Sequence, residues 1–108
     1  MIVYDFGTIL LLRFPYTGLQ SSPKRPALVV YDEGDQDIIV ARITSQPYSG
    51  KNDFEIVNWK QTGLIFPSWI RLGKLATLEK GTVDRVVGKL AQGDCAKIKG
   101  ILVDMFKA

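Results

Sequence analysis

Lys24-Arg25-Pro26-Ala27-Leu28-Val29-Val30, with Ala41-Arg42-Ile43-Thr44-Ser45-Gln46 a little further on, is the part of this 108-residue chain that decides its fold. Each half reads as a β-strand with polar groups at one end. The first begins with an arginine, and the second ends in two hydroxyls and an amide. Between them Asp32-Glu33-Gly34-Asp35 is turn chemistry. The runs Ala27 to Tyr31 and Asp37 to Thr44 therefore predict an antiparallel hairpin, which brings both polar ends to one edge of a sheet. Pro23 and Pro26 hold the approach extended and cannot donate ladder hydrogen bonds. That sets Arg25 at the entrance of its strand rather than mid-sheet.

Working outward, short strand-like runs alternate with turn residues. Gly7 to Phe14 is apolar and ends at Pro15, which favours a buried strand over a helix. Tyr16 to Pro23 is a polar loop. Phe54 to Val57 predicts another strand, Gly63 and Pro67 bracket a connection, and Ser68 to Leu72 predicts a further strand. Thr77-Leu78 and Val83 to Leu90 read as shorter strand or turn pieces. From Asp94 the period changes. Cys95, Ile98, Leu102, Met105 and Phe106 fall on one face at helical spacing, with Asp94 as the N-cap and Gly100 weakening the helix by ~1 kcal/mol. The expected architecture is mainly β, a small and strongly bent antiparallel barrel with a C-terminal α-helix.

Composition narrows the function. Residues 1–108 make one domain, with 46% hydrophobic and 23% charged residues, an ordinary balance for a folded soluble protein. The net charge of +3 is a mild bias toward polyanions. One cysteine and no histidine exclude an internal disulfide and argue against a zinc site. No apolar run approaches the ~18 residues of a membrane helix, and the first residues do not read as a signal peptide, so a cytoplasmic location is expected.

Arg25 stands first among residues able to carry chemistry. A surface arginine is usually just solvated, but the flanking prolines aim this one, and a fixed guanidinium suits two oxygens of a phosphate. Thr44 and Ser45 alone are ordinary strand-ending residues; beside Arg25 they are donors to a phosphodiester. Without a histidine base neither is an activated nucleophile. Lys24 extends the cationic end, and Gln46 is a donor to a base edge or a phosphate. Arg71, within Trp69-Ile70-Arg71-Leu72, faces either solvent or a polar cleft. Trp59 and Trp69 suit base stacking, though core or subunit-interface tryptophans are commoner, and an interface is the expectation here. Arg13 is a further candidate for the basic cluster. Cys95, on the apolar helix face, reads as inert core.

The ordered set Gly7-Thr8-Ile9, Phe14-Pro15, Arg25-Pro26, Leu28-Val29-Val30, Ile43-Thr44-Ser45-Gln46, Gly63-Leu64, Ser68 to Leu78 and Gly88-Lys89-Leu90 resembles the MazF/PemK-type toxins of bacterial toxin–antitoxin systems. The resemblance spans nearly the whole chain. It implies an SH3-like barrel with a C-terminal helix, acting as a homodimer. It implies a cytoplasmic endoribonuclease that cuts single-stranded RNA by attack of the RNA's own 2′-hydroxyl, leaving a 2′,3′-cyclic phosphate and a 5′-hydroxyl, with no metal or other cofactor. On this resemblance Arg25 and Thr44 are catalytic, and Arg71 matches the later arginine used by the PemK/Kid branch; with Lys24, Ser45 and Gln46 of the hairpin edge, Arg71 is expected to bind RNA. An acidic antitoxin segment is the implied protein partner. The PemK/Kid branch carries an acidic residue two positions after its later arginine; here that position is Gly73, and the branch's loop histidine is missing too.

Two other readings compete. A protein-binding toxin of the gyrase-poison type has the same barrel but acts through a C-terminal Trp-Gly pair, where this sequence reads Met105-Phe106-Lys107-Ala108. A non-catalytic RNA-binding relative would keep the basic groove, and Gly73 supports it.

Overall fold

The structure is a computed structural model that describes residues 2–14 and 23–107. Its elements run β1 (Thr8–Arg13), β2 (Lys24–Tyr31), β3 (Asp37–Thr44), β4 (Asp53–Ile56), β5 (Ser68–Glu79), β6 (Val83–Lys89) and α1 (Gln92–Met105), with 3-10 turns at Trp59–Thr62 and Lys80–Thr82. Most of the polar loop expected at Tyr16 to Pro23 lies outside the described residues.

The β2–β3 hairpin forms as expected. Ala27 pairs with Arg42, Leu28 with Ala41 and Val29 with Val40. Its turn is built by side chains. Asp32 accepts the Gly34 N–H at 2.8 Å, Asp35 accepts the Asp37 N–H at 3.0 Å, and Gly34 takes φ +98°, open at low cost only to glycine. β2 itself begins at Lys24, earlier than the sequence pattern suggests, because Lys24 to Pro26 pair with β1 opposite Arg13 to Leu11. The ladder to β3 starts only at Ala27. Pro26 is thus flanked on one side, where a missing donor is tolerated.

All ladders are antiparallel, in the order β4-β5-β3-β2-β1-β6. The sheet curls like a barrel, but among the described residues no ladder joins β4 to β6. The turn at Trp59–Thr62, which follows β4, packs on β6 instead. Two glycines allow this seat. A Cβ on Gly88 would collide with the Thr62 carbonyl, and one on Gly63 with the Val87 carbonyl.

Alternation along the central strands feeds two hydrophobic clusters. Ile9, Leu28, Ala41, Ile43, Ile70 and Leu72 form one with Ile98 of α1. Leu10, Leu12, Ala27, Val29, Val40 and Leu78 form the other. This is why Ile9 to Leu12 is unbroken aliphatic sequence: β1 has something to bury on each side, and each fully buried Leu or Ile contributes ~1.5–3 kcal/mol.

Ser68 to Leu72 and Thr77-Leu78 are not separate strands. They belong to the single 12-residue β5. Arg42 pairs with Arg71 and Ala41 with Leu75, so residues 72–74 bulge out of the ladder, and the Leu72 N–H bonds the Asn52 carbonyl at 2.9 Å. The bulge bends β5 so that Ile70 and Leu72 serve one cluster and Leu78 the other. Gly73, which reads as a strand end, sits in that bulge. The strand expected at Phe54 to Val57 is shifted by one residue, and Val57 is exposed.

In α1 the N-cap is Ala91, not Asp94, and it makes no side-chain cap bond. Asp94 lies in the first turn, where its charge still complements the helix dipole. Ile98 is buried, and Cys95, Ile101, Leu102 and Met105 pack on the first cluster. Phe106 is 72% exposed, because the helix has ended there and its side chain leaves the apolar face.

Candidate functional site

The start of β2 and the end of β3 meet at one end of the sheet. Carried two residues beyond Ala27–Arg42, their register sets Arg25 opposite Thr44. A cavity of about 350 Å³ opens there. Its polar lining comes from Lys24, Arg25, Thr44 and Ser45 of the hairpin, buried Ser68, and Arg85 of β6. Leu64, Ile65 and Phe66 form its apolar lip. Among the described residues three cations and no carboxylate border it, which favours an anion.

The register explains the approach of each group. Arg25 pairs with Leu12 of β1, and Arg85 pairs with Leu11. Alternation along β1 then sets the two guanidiniums on opposite faces of this end of the sheet, and both border the cavity. Lys24 Nζ is 3.0 Å from Asp84 Oδ1 in an exposed ion pair, a weak bond that an arriving phosphate can replace. The Thr44 hydroxyl accepts the Gln46 N–H at 3.1 Å, so its own proton is free for another acceptor. Gln46 is exposed and does not line the cavity.

Arg71 is not part of this cavity. It lies on the sheet face opposite α1, since its neighbour Ile70 points into the helix-side cluster. Its Nε donates to Asp53 Oδ1 at 3.1 Å, and its guanidinium stacks 3.7 Å from the centre of the Tyr48 ring. Asp53 also accepts the Gly50 N–H at 2.9 Å. A second cavity, of about 370 Å³, adjoins this cluster and is bordered by Tyr48, Asp53, Glu55 and Trp69. The two sites are neighbours on one surface: Thr44 pairs with Trp69, which pairs in turn with Glu55. Trp59, half-buried, packs against the helix-side cluster.

Sequence reasoning missed Arg85 and the lip at Leu64 to Phe66. Nothing local marks Arg85; only the pairing of β6 with β1 brings it to the hairpin's polar end. Arg13 ends β1 opposite Lys24, exposed and outside the cavity lining. Cys95 supplies no nucleophile. Burial pushes its thiol up, and its sulfur packs so closely on Gly7 that a Cβ there would lie 2.6 Å away.

Among the described residues no cluster of His, Cys, Asp and Glu suits a metal ion, and no helix is long and apolar enough to cross a membrane. The cavity lining offers positive charge and hydroxyl donors side by side, chemistry suited to a phosphodiester and to added charge on it.

Residues 5–106 match the family model described as PemK-like, MazF-like toxin of type II toxin–antitoxin system. A comparison with curated proteins found no match. Among solved structures the chain is similar to MazF from Deinococcus radiodurans, with 17% identity over 100% of both chains and a TM-score of 0.76. It is similar to the Mycobacterium tuberculosis toxin MazF-mt6, with 17% identity over 92% of this chain and 95% of that one, TM-score 0.76. It is also similar to an endoribonuclease in complex with its cognate antitoxin from a mycobacterial species, with 16% identity over 92% and 90%, TM-score 0.75. At such identities the likeness is one of fold.

Proposed function

This chain belongs to the PemK-like, MazF-like toxin family of type II toxin–antitoxin systems, and from that membership we propose that it is a metal-independent endoribonuclease acting on single-stranded RNA in the cytoplasm. The observation that carries the reading is the Arg25–Thr44 juxtaposition at a cavity bordered, among the described residues, by three cations and no carboxylate. The 2′-oxygen of a ribose attacks the adjacent phosphorus while the bond from phosphorus to the 5′-oxygen breaks. The 2′-hydroxyl proton passes to water, and the departing 5′-oxygen takes a proton back from water. The products are a 2′,3′-cyclic phosphate and a 5′-hydroxyl.

Arg25 is the electrostatic element of this mechanism. A guanidinium with a pKa above ~12 is a poor base at neutral pH, but it stabilises the charge that grows on the non-bridging oxygens. Thr44 donates its free proton to one of them. Lys24, Ser45 and Arg85 hold the flanking phosphates. Arg71, with Gln46, binds RNA that continues over the Tyr48–Trp69 side.

We propose further that the protein works as a homodimer and is held inactive by an acidic antitoxin segment that covers the same cations, in keeping with the net charge of +3. The decisive experiment is cleavage of single-stranded RNA by the purified protein in EDTA. The wild type should yield cyclic-phosphate ends, and Arg25→Ala, at an exposed position, should slow cutting at least ~10²–10³-fold with the fold intact. The same products from Arg25→Ala at wild-type rate would overturn the site assignment. Tight RNA binding without cleavage by the wild type would favour the non-catalytic reading.

A further inference from the structure

Phe66 is 58% exposed and Ile65 78%, yet neither sits in a loosely held loop. The segment is fastened at both ends. Upstream, Thr62 is buried, its hydroxyl donates to the Trp59 carbonyl at 2.6 Å, and Gly63 and Gly88 let the turn lie directly on the β6 backbone. Leu64 packs down onto the helix-side cluster. Downstream, the buried Ser68 hydroxyl donates to the Phe66 carbonyl at 2.8 Å, and Pro67 restricts Phe66 to extended backbone. An aromatic ring is thus held out to solvent by a rigid frame, at the lip of the cavity whose other groups are Lys24, Arg25, Thr44, Ser45 and Arg85.

We propose that Phe66 is the stacking platform for a nucleobase of the bound RNA, one whose backbone phosphate lies on the Arg25–Thr44 cluster. The inference rests on the ribonuclease reading above and deepens it by naming a residue that binds base rather than phosphate. A cationic rim selects nucleic acid, and the flat apolar wall beside it gives one base a face to stack on. Because the frame around Phe66 is already built, stacking there orders little of this segment.

The test begins with wild-type enzyme and the oligonucleotide it cuts best by product mapping. A series of oligonucleotides then carries a single abasic nucleotide at each position in turn. At one position next to the scissile phosphate, the abasic change should lower kcat/KM for the wild type by about 5- to 100-fold. Phe66→Ala should lower kcat/KM on the intact oligonucleotide by the same factor, and in that variant the abasic change should cost nothing more. Phe66→Trp should cut as well as the wild type, and Phe66→Leu should fall between. Equal kcat/KM for Phe66→Ala and wild type, or losses that simply multiply at every position, would overturn the proposal. So would loss of self-association or of antitoxin binding in Phe66→Ala with unchanged cleavage, since the ring would then serve a protein contact. No cleavage by the wild type would instead defeat the ribonuclease reading, a separate outcome.

Discussion

Arg42 and Arg71 face each other across β3 and β5, and only one of them is neutralised. Arg71 has the Asp53 carboxylate at 3.1 Å and the Tyr48 ring at 3.7 Å. Arg42 keeps its Nε buried without a hydrogen-bond partner among the described residues. Like charges directly opposite on a sheet repel, and a buried unpaired donor costs about 1–3 kcal/mol.

The same substitution should therefore act with opposite sign at the two positions. Arg42→Met should raise the unfolding free energy by roughly 1 kcal/mol, by removing the orphaned donor and one of the opposed charges. Arg71→Met should lower it by about 2 kcal/mol, because the Asp53 side chain is only 7% exposed and would lose its counter-ion. Urea denaturation of the two variants checks this; a loss at both positions would show that Arg42 has a stabilising partner.

Thr44→Val should lower kcat/KM for RNA cleavage by about 10-fold, the worth of one hydrogen bond to a charged oxygen. Arg25→Ala should cost at least ~10²–10³-fold, by loss of the main charge stabiliser. Thr44→Val should also loosen the Ser45–Gln46 turn, whose N–H bonds the lost hydroxyl. Steady-state kinetics on one defined oligonucleotide, with circular dichroism as a fold control, measures both.

Glycine replacements should separate packing from propensity. At Gly88 a Cβ meets the Thr62 backbone, which cannot swing aside, so Gly88→Ala should cost about 2–3 kcal/mol or unfold the turn. At Gly100, in α1, an added Cβ would have nothing within 4 Å, and Gly100→Ala should stabilise by about 0.5–1 kcal/mol. Melting curves of the two variants, shifted in opposite directions, check the pair.

Asp32 gives the fold an acid limit. Its carboxylate takes the Tyr4 N–H at 2.7 Å and the Gly34 N–H at 2.8 Å, and the Lys80 ammonium sits 3.0 Å away. Burial pushes the carboxyl up, but these partners more than offset it and hold it below the ordinary 3.8. A depressed carboxylate stabilises fully above its unfolded pKa and loses that contribution as pH falls through the folded one. Asp32→Asn should therefore melt several degrees below wild type at pH 7, and the gap should close in acid below pH 3.8, where the wild-type group protonates as well. A gap that stays constant with pH would mean the charge contributes nothing.

The fold is legible in the sequence where local chemistry and period agree. The Asp32–Asp35 turn between two apolar runs announces the β2–β3 hairpin, and with it the meeting of Arg25 and Thr44. Where an element's end depends on a neighbour, the local pattern misleads. Gly73 looks like a strand end because a bulge and a stop use the same residue, and only β3 reveals that β5 continues. Asp94 looks like an N-cap because its side chain suits the role, whereas the helix begins at Gln92 after Ala91, which makes no side-chain cap bond and so leaves no mark in the sequence.

What the chain alone determined is the β2–β3 hairpin, the buried first strand, the C-terminal helix, and one arginine and one threonine carried to the same edge, because a turn between two apolar runs brings their far ends together. What tertiary structure decided is who joins them. Arg85 reaches the cavity through β6–β1 pairing, and Phe66 through a turn seated on Gly63 and Gly88. Arg71 stands apart with Asp53 because β4 closes on β5. Those neighbours lie far apart in sequence, and contacts between remote segments are set by how whole faces bury, which no local pattern encodes.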